Sequence, residues 1–199
     1  AGIIGANNLM GNLYNRNQLI PLCAKLTSHQ DGAIASFIGG LATSIKVDED
    51  ILYRALPITP FRMILAIPED DDFKVDNSPD LIAIKDMRHN LRHMSMLQKA
   101  LADGDLELLI HTLNDPIEQS MIQSKISGYS HIAEVARLNG ALGITTTGRG
   151  ATMVIFAHDD HNHIVGAVEQ AFKNLETRAK VVIVPVDTQG VVISIMQSA

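Results

Sequence analysis

Residues 140 to 157 read Gly-Ala-Leu-Gly-Ile-Thr-Thr-Thr-Gly-Arg-Gly-Ala-Thr-Met-Val-Ile-Phe-Ala. Two strand-like runs, Ala141 to Thr146 and Thr152 to Ala157, flank a short turn punctuated by glycine, which is the pattern of a hairpin. Downstream, residues 161 to 175 have helical spacing, and 180 to 186 and 191 to 196 read as two more strands. The last third is therefore β, β, α, β, β. Strands that come in blocks with hairpin-like links argue for an α+β layer sandwich, a mostly antiparallel sheet with helices on one face, over a doubly wound parallel sheet.

The middle third reads as the helical layer. Ile84, Met87, Leu91, Met94, Leu97 and Leu101 recur at steps of three and four, which predicts one amphipathic helix with Lys85, Arg88 and Arg92 on its solvated side. Gly104 ends it, Asp105 caps a second helix through Leu113, and further helical patterns occupy about 116 to 123 and 128 to 138. Upstream, 61 to 67 is a strand stopped by Pro68 and the acidic turn Glu69 to Asp72. The run Leu41 to Val47 is another strand, entered from Gly39-Gly40. Residues 16 to 26 predict a short helix capped by Asn15 or Asn17, with Pro21 tolerated if it lies in the first turn. A domain boundary falls between about 47 and 61, where charged residues and two prolines separate strands.

Composition bounds the function. The 199 residues are 46% hydrophobic and 19% charged, so the chain is globular rather than disordered. Its formal charge of −6 lacks the basic footprint of a nucleic-acid binder, and no apolar run approaches the about 20 residues of a membrane-spanning helix. With no signal segment, the chain reads as cytoplasmic, without nucleic-acid or membrane partners. Cys23 is the single cysteine, which excludes an intrachain disulfide and a cysteine-based zinc site. The opening Ala1-Gly2-Ile3-Ile4 has apolar residues without a preceding cap, as if already inside a helix, so the start of the protein is expected elsewhere.

Three polar clusters are candidates for chemistry. In Gly140 to Thr152, glycines at 143, 148 and 150 allow positive φ and close backbone approach, so exposed amides with Thr145 to Thr147 and Arg149 could cradle a phosphate or carboxylate. A plain hairpin turn needs glycine too. In Thr27-Ser28-His29-Gln30-Asp31-Gly32, Asp31 could deprotonate or orient a substrate hydroxyl with His29 in support, or Ser28 or Asp31 could simply cap the helix that follows. The set His158-Asp159-Asp160-His161-Asn162-His163 invites a metal, but His161 and His163 diverge on a helix. A solvated turn capped by Asp159 or Asp160 is the better reading, and no metal ligand is assigned.

These segments together resemble the GHMP small-molecule kinases, and within them homoserine kinase. Residues 140 to 152 follow the family pattern Gly-Ala-Leu-Gly-Val-Thr-x-Ser-Gly-Ala-Gly-Pro-Thr with intact spacing, departing at Thr147, Arg149 and Ala151 and, conservatively, at Ile144. His29-Gln-Asp31 up to Gly39-Gly40 resembles the family's His-Pro-Asp-Asn segment and its Gly-Gly end. Ala1-Gly2-Ile3 with Ala6-Asn7 resembles the helix after the phosphate loop, and Asp86, Asn90, Leu91 and Leu97 resemble a further helix motif.

The resemblance implies a GHMP-kinase-like fold with a ferredoxin-like C-terminal domain. Residues 1 to 56 would be the remainder of a nucleotide- and substrate-binding N-terminal domain, and 57 to 199 the C-terminal GHMP kinase domain. It also implies transfer of a phosphoryl group from ATP, with Mg²⁺, to homoserine or a similar amino-alcohol, a step in threonine biosynthesis, with a homodimer as one assembly open to it. By the same resemblance Asp31 is the catalytic residue, His29, Asp31, Thr145, Thr147 and Arg149 bind substrate, and Gly148 and Gly150 lie near phosphate.

Four departures qualify it. The phosphate loop that should precede Ala1 is absent, so this portion alone is expected to be inactive. Lys25 stands where the family keeps a magnesium-binding glutamate, and a cation cannot ligate Mg²⁺. Gly32 replaces the substrate-contacting asparagine. The family's carboxylate-binding arginines are unmatched, with Val75 and Ile122 near those positions and only Lys74 and Lys125 close by. A non-catalytic relative that keeps the fold for binding or assembly is the alternative expectation.

Overall fold

The computed structural model describes residues 2–27, 29–69, 81–117, 119–147 and 150–193. They form two compact units, one running to Pro60 and taking in the return from Asp187, the other spanning Phe61–Val186. The acidic residues 70 to 72, Lys74, Val75, Ser28, Gly148, Arg149 and residues 194 to 196 lie outside the described residues.

The first unit contains three helices, α1 (Gly2–Leu9), α2 (Arg16–Lys25) and α3 (Gln30–Ile38), and the antiparallel ribbon β1 (Leu41–Val47) and β2 (Asp50–Leu56). Asn15 caps α2 in a reciprocal box with Gln18. Pro21 lies mid-helix rather than in the first turn and removes one backbone donor there. The strand β2 was not foreseen: Asp48 and Glu49, read as part of an inter-domain stretch, are the turn of a hairpin, with Asp48 at φ +52°. Ile4, Leu19, Ile20, Ala24, Ile34, Phe37 and Ile51 form the core of this unit.

The second unit runs β3 (Arg62–Pro68), α4 (Ile84–Asp103), α5 (Leu106–Thr112), α6 (Gln119–Lys125), α7 (Tyr129–Leu138), β4 (Gly143–Thr146), β5 (Met153–Phe156), α8 (His161–Asn174) and β6 (Ala179–Pro185). The sheet order is β4-β5-β3-β6 with every pair antiparallel. This is the α+β, ferredoxin-like arrangement expected, in which the first strand of the unit lies between the third and fourth. Strand alternation sorts its side chains. Ile64, Ala66, Met153 and Ile155 pack with α7 and α8 through Ile132, Ala136, Ile164 and Val168. The opposite face is covered as well: Met63, Leu65, Val154 and Phe156 join Ala100, Leu106 and Leu109 of α4 and α5. Helices expected on one face therefore cover both, the α4 and α5 side with the smaller buried cluster. The final strand expected at 191 to 196 is not formed at Val191 to Ile193, which are irregular.

Helix α4 departs most from its sequence pattern. Ile84, Met87, Leu91 and Met94, expected in the core, are 48–68% exposed, and in this half of the helix the inward side is polar. Asn90 Nδ2 donates to Asp115 Oδ1 at 2.8 Å, and a ring nitrogen of His89 lies 3.2 Å from the Asn114 carbonyl. The apolar stripe turns inward only at Leu97, Ala100 and Leu101.

Candidate functional site

The cluster around Asp31 is built within the first unit. Gly39 and Gly40, at φ +79° and +61°, end α3 and send β1 back beside it. On β1, Ala42, Ser44 and Lys46 share one face by strand alternation, and Ala42 packs on the core near α3. The Ser44 hydroxyl consequently reaches Asp31 and donates to Oδ1, while Gln30 Nε2 donates to Ser44 Oγ at 3.0 Å. Asp31 is thus held by a side chain from the neighbouring strand and is not a helix cap. His29 occupies the N-cap position without a side-chain cap bond, its N–H donating to Thr27 Oγ1 at 3.1 Å. His29, Asp31, Ser44 and Lys46 line one open cavity of about 340 Å³. A carboxylate held by a hydroxyl, with an ammonium group on the same wall, can accept a proton from a bound alcohol and offset developing negative charge.

Ser44, Gln30 and Lys46 were missed as site residues. The alternation of Leu41 to Val47 places Ser44 and Lys46 on one face, but choosing that face required knowing which side packs against α3.

The glycine and threonine hairpin belongs to the second unit. The Thr147 N–H donates to the Thr152 carbonyl at 3.0 Å, and Thr145 and Thr146 pair with Val154 and Met153. Gly148 and Arg149 lie outside the described residues. Gly143 does not adopt positive φ. Its lack of a side chain admits Ile110 of α5, whose Cγ2 would lie 2.7 Å from an added Cβ. At Gly150 an added Cβ meets nothing within 4 Å, and φ is not positive there either. Of the reasons given for these glycines, close packing holds at Gly143, and left-handed backbone holds at neither.

In the His158 to His163 segment, Asp160 sits at the N-cap of α8 with φ +54° but makes no side-chain cap bond. His158 Nε2 is 3.2 Å from Glu107 Oε1. Among the described residues, no three His, Cys, Asp or Glu side chains are grouped to hold a metal. Lys25 is exposed in the last turn of α2, and Ile122 is buried in the core of the second unit. No helix among the described residues is long and apolar enough to cross a membrane.

No family model matches the chain. Sequence comparison finds the homoserine kinase of Halothermothrix orenii, 27% identical over 197 residues, which cover 96% of this chain and 63% of that protein. Over nearly its whole length the chain is similar to homoserine kinases. The homoserine kinase of Moorella thermoacetica is 27% identical over 174 residues, 85% of this chain and 59% of that protein. In structure, the homoserine kinase of Cytophaga hutchinsonii matches 96% of this chain and 64% of its own with a TM-score of 0.82, and at 20% identity that likeness shows the shared GHMP-kinase fold. The chain thus spans less than two thirds of these homoserine kinases, and the region containing Asp31, Ser44 and the hairpin falls within the matched length.

Proposed function

We propose that the parent-length protein transfers a phosphoryl group from ATP to the hydroxyl of homoserine or a similar small amino-alcohol. The observation that supports this reading is the Gln30–Ser44–Asp31 chain of hydrogen bonds opening onto a cavity with His29 and Lys46. The substrate hydroxyl gives its proton to Asp31 as its oxygen bonds to the γ-phosphorus, and the bond from that phosphorus to the bridging oxygen of ADP breaks. Ser44 fixes the carboxylate, and Lys46 offsets negative charge on the transferring group. The resemblance adds Thr145, Thr147 and Arg149 as substrate contacts and Gly148 and Gly150 as groups near phosphate.

ATP would supply the phosphoryl group with Mg²⁺ on its phosphates. The described residues do not offer a protein cage for that ion: Asp31 is a lone carboxylate, and Lys25 is cationic. Mg²⁺ fits here only as an ion carried largely by nucleotide phosphates and water, and no step above is routed through it.

The test is phosphate transfer from ATP to homoserine and other amino-alcohols by the parent-length chain. Asp31→Asn should lower kcat by about 10²–10⁴-fold with unchanged folding. No turnover by the unmodified chain on any of these alcohols would overturn the homoserine reading.

Lys25 and Gly32 favour a second reading, a relative that has lost catalysis. Nothing in the packing demands glycine at 32, since an added Cβ would meet only the His29 Cβ at 4.0 Å. Gly32→Asn should therefore fold. Activity appearing only in that variant would mark the natural chain as a binding protein.

A further inference from the structure

The second unit contains a cavity that the phosphotransfer reading does not use. It has a volume of about 450 Å³ and runs beside β4, an edge strand of the described sheet, between the end of α5 and α7. Its shape follows from helical spacing. Tyr129, Ala133 and Arg137 stand at i, i+4 and i+8 on one side of α7, and the small Ala133 leaves a notch between the two long side chains. The wall opposite carries His111 and Asn114, and Ser130 lies at the Tyr129 end. Gly143 admits Ile110 to the floor.

The lining is polar over an apolar floor. Among the described residues it contains the Arg137 guanidinium and no carboxylate, although the chain as a whole carries −6. No ion pair or side-chain hydrogen bond holds the Arg137 guanidinium among the described residues, nor is the Tyr129 hydroxyl bonded there. Tyr129 is half-buried, and burial pushes its pKa up while the nearby Arg137 charge pulls against that rise. Arg137 stands about two turns C-terminal to Tyr129 on the same side of α7.

We propose that this cavity is a binding site for a small molecule bearing an oxyanion group, a carboxylate or a phosphate. Arg137 supplies the charge, and Tyr129, Ser130 and Asn114 supply hydrogen bonds. The size is within the range of metabolite pockets, and a few convergent polar groups over an apolar base give orientation. A guanidinium recognises either oxyanion by paired N–H donors.

The test is calorimetric titration of the 199-residue chain with inorganic phosphate and, separately, succinate, at matched ionic strength with chloride as the control. Saturable one-to-one binding of either probe is expected, with phosphate alone, succinate alone or both telling which oxyanion the site takes. Arg137→Gln should weaken that binding by about tenfold or more, and Arg137→Lys by less, because a charged hydrogen bond is lost in the first and kept as a point charge in the second. Tyr129→Phe should weaken it several-fold. Lys46→Gln, in the cavity beside Asp31, should leave it unchanged. Absence of saturable binding by both probes overturns the proposal. So does binding that Lys46→Gln abolishes, or that survives Arg137→Gln and Arg137→Lys in chains whose circular dichroism is unaltered.

Discussion

Gly39 and Gly190 meet backbone to backbone in the first unit. A Cβ on Gly39 would lie 2.5 Å from the Gly190 nitrogen, and one on Gly190 would lie 2.6 Å from the Gly39 nitrogen. The contact is bracketed by two hydrogen bonds, Gly40 N–H to the Asp187 carbonyl at 2.7 Å and Val191 N–H to the Phe37 carbonyl at 3.2 Å. Arg16 adds a bond from Nη2 to the same Phe37 carbonyl at 2.7 Å and lies over the Phe37 ring. The segment from Asp187 is thereby fastened to the end of α3, which is where the chain turns into the strand carrying Ser44.

Alanine at either glycine should therefore loosen the first unit. Both sit at positive φ, +79° and +67°, and a Cβ at either would collide with main chain that cannot swing aside. The backbone conformation alone costs about 1–3 kcal/mol, and the collision adds to it. Urea unfolding followed by amide hydrogen exchange should show protection falling in α3 and β1 in both Gly39→Ala and Gly190→Ala. Because the two share one contact, the double variant should lose less than the sum. Additive losses would show that the glycines act separately.

Much of this was legible beforehand, and the failures have physical causes. The strands at 41–47 and 61–67 and the antiparallel pairing of β4 with β5 followed from alternation and turn residues, and the Asp105 cap from its place before an apolar run. The antiparallel α+β class followed from the order of those elements. Strand β2 was missed because Asp50, Arg54 and the adjoining acidic turn look like linker, yet a two-stranded ribbon needs only one buried face, and Ile51 and Tyr53 supply it. Asp31 was legible as a candidate because its neighbours are distinctive. Ser44, its partner thirteen residues away, was not, since pairing across a strand and a helix is a tertiary fact. Gly143 was noticed for two reasons of which only close approach holds, because a glycine that makes room and a glycine that turns left-handed look alike in sequence.

Helix α4 offers a sharp contrast between pattern and packing. Leu91, placed in the core by periodicity, is 68% exposed, whereas Leu109 on α5 is 2% exposed. Leu91→Ser should change unfolding free energy by no more than about 0.5 kcal/mol, as surface substitutions usually do. Leu109→Ala should cost about 2–5 kcal/mol by leaving a cavity against Val154 and Phe156. Denaturant titration of the two variants side by side decides the matter, and a large loss in Leu91→Ser would mean that this stripe is packed in solution.

Gly143→Ala tests why the glycine is there. An added Cβ would stand 2.7 Å from Ile110 Cγ2 and 3.1 Å from its Cβ, so α5 would have to move from β4 or Ile110 change rotamer. Overpacking of this kind costs about 1–3 kcal/mol. Pairing Gly143→Ala with Ile110→Ala removes the colliding methyl, so the double variant should be more stable than the two single losses added together. Simple additivity would return Gly143 to a role in the turn.

Tyr129 gives the chain a stability that depends on alkaline pH. Burial raises its pKa above the reference value of 10.0, with Arg137 opposing the rise, so the folded state holds the phenolic proton more tightly than the unfolded chain does. Wherever the folded state binds more protons, unfolding free energy falls as pH rises. The contribution is therefore complete below about pH 10, the unfolded value, and is lost progressively as pH climbs through the raised folded value. Unfolding titrations at intervals from neutral pH to above pH 10 should show a steeper decline for the unmodified chain than for Tyr129→Phe. Identical slopes would mean that the phenol has the same pKa in the folded and unfolded states.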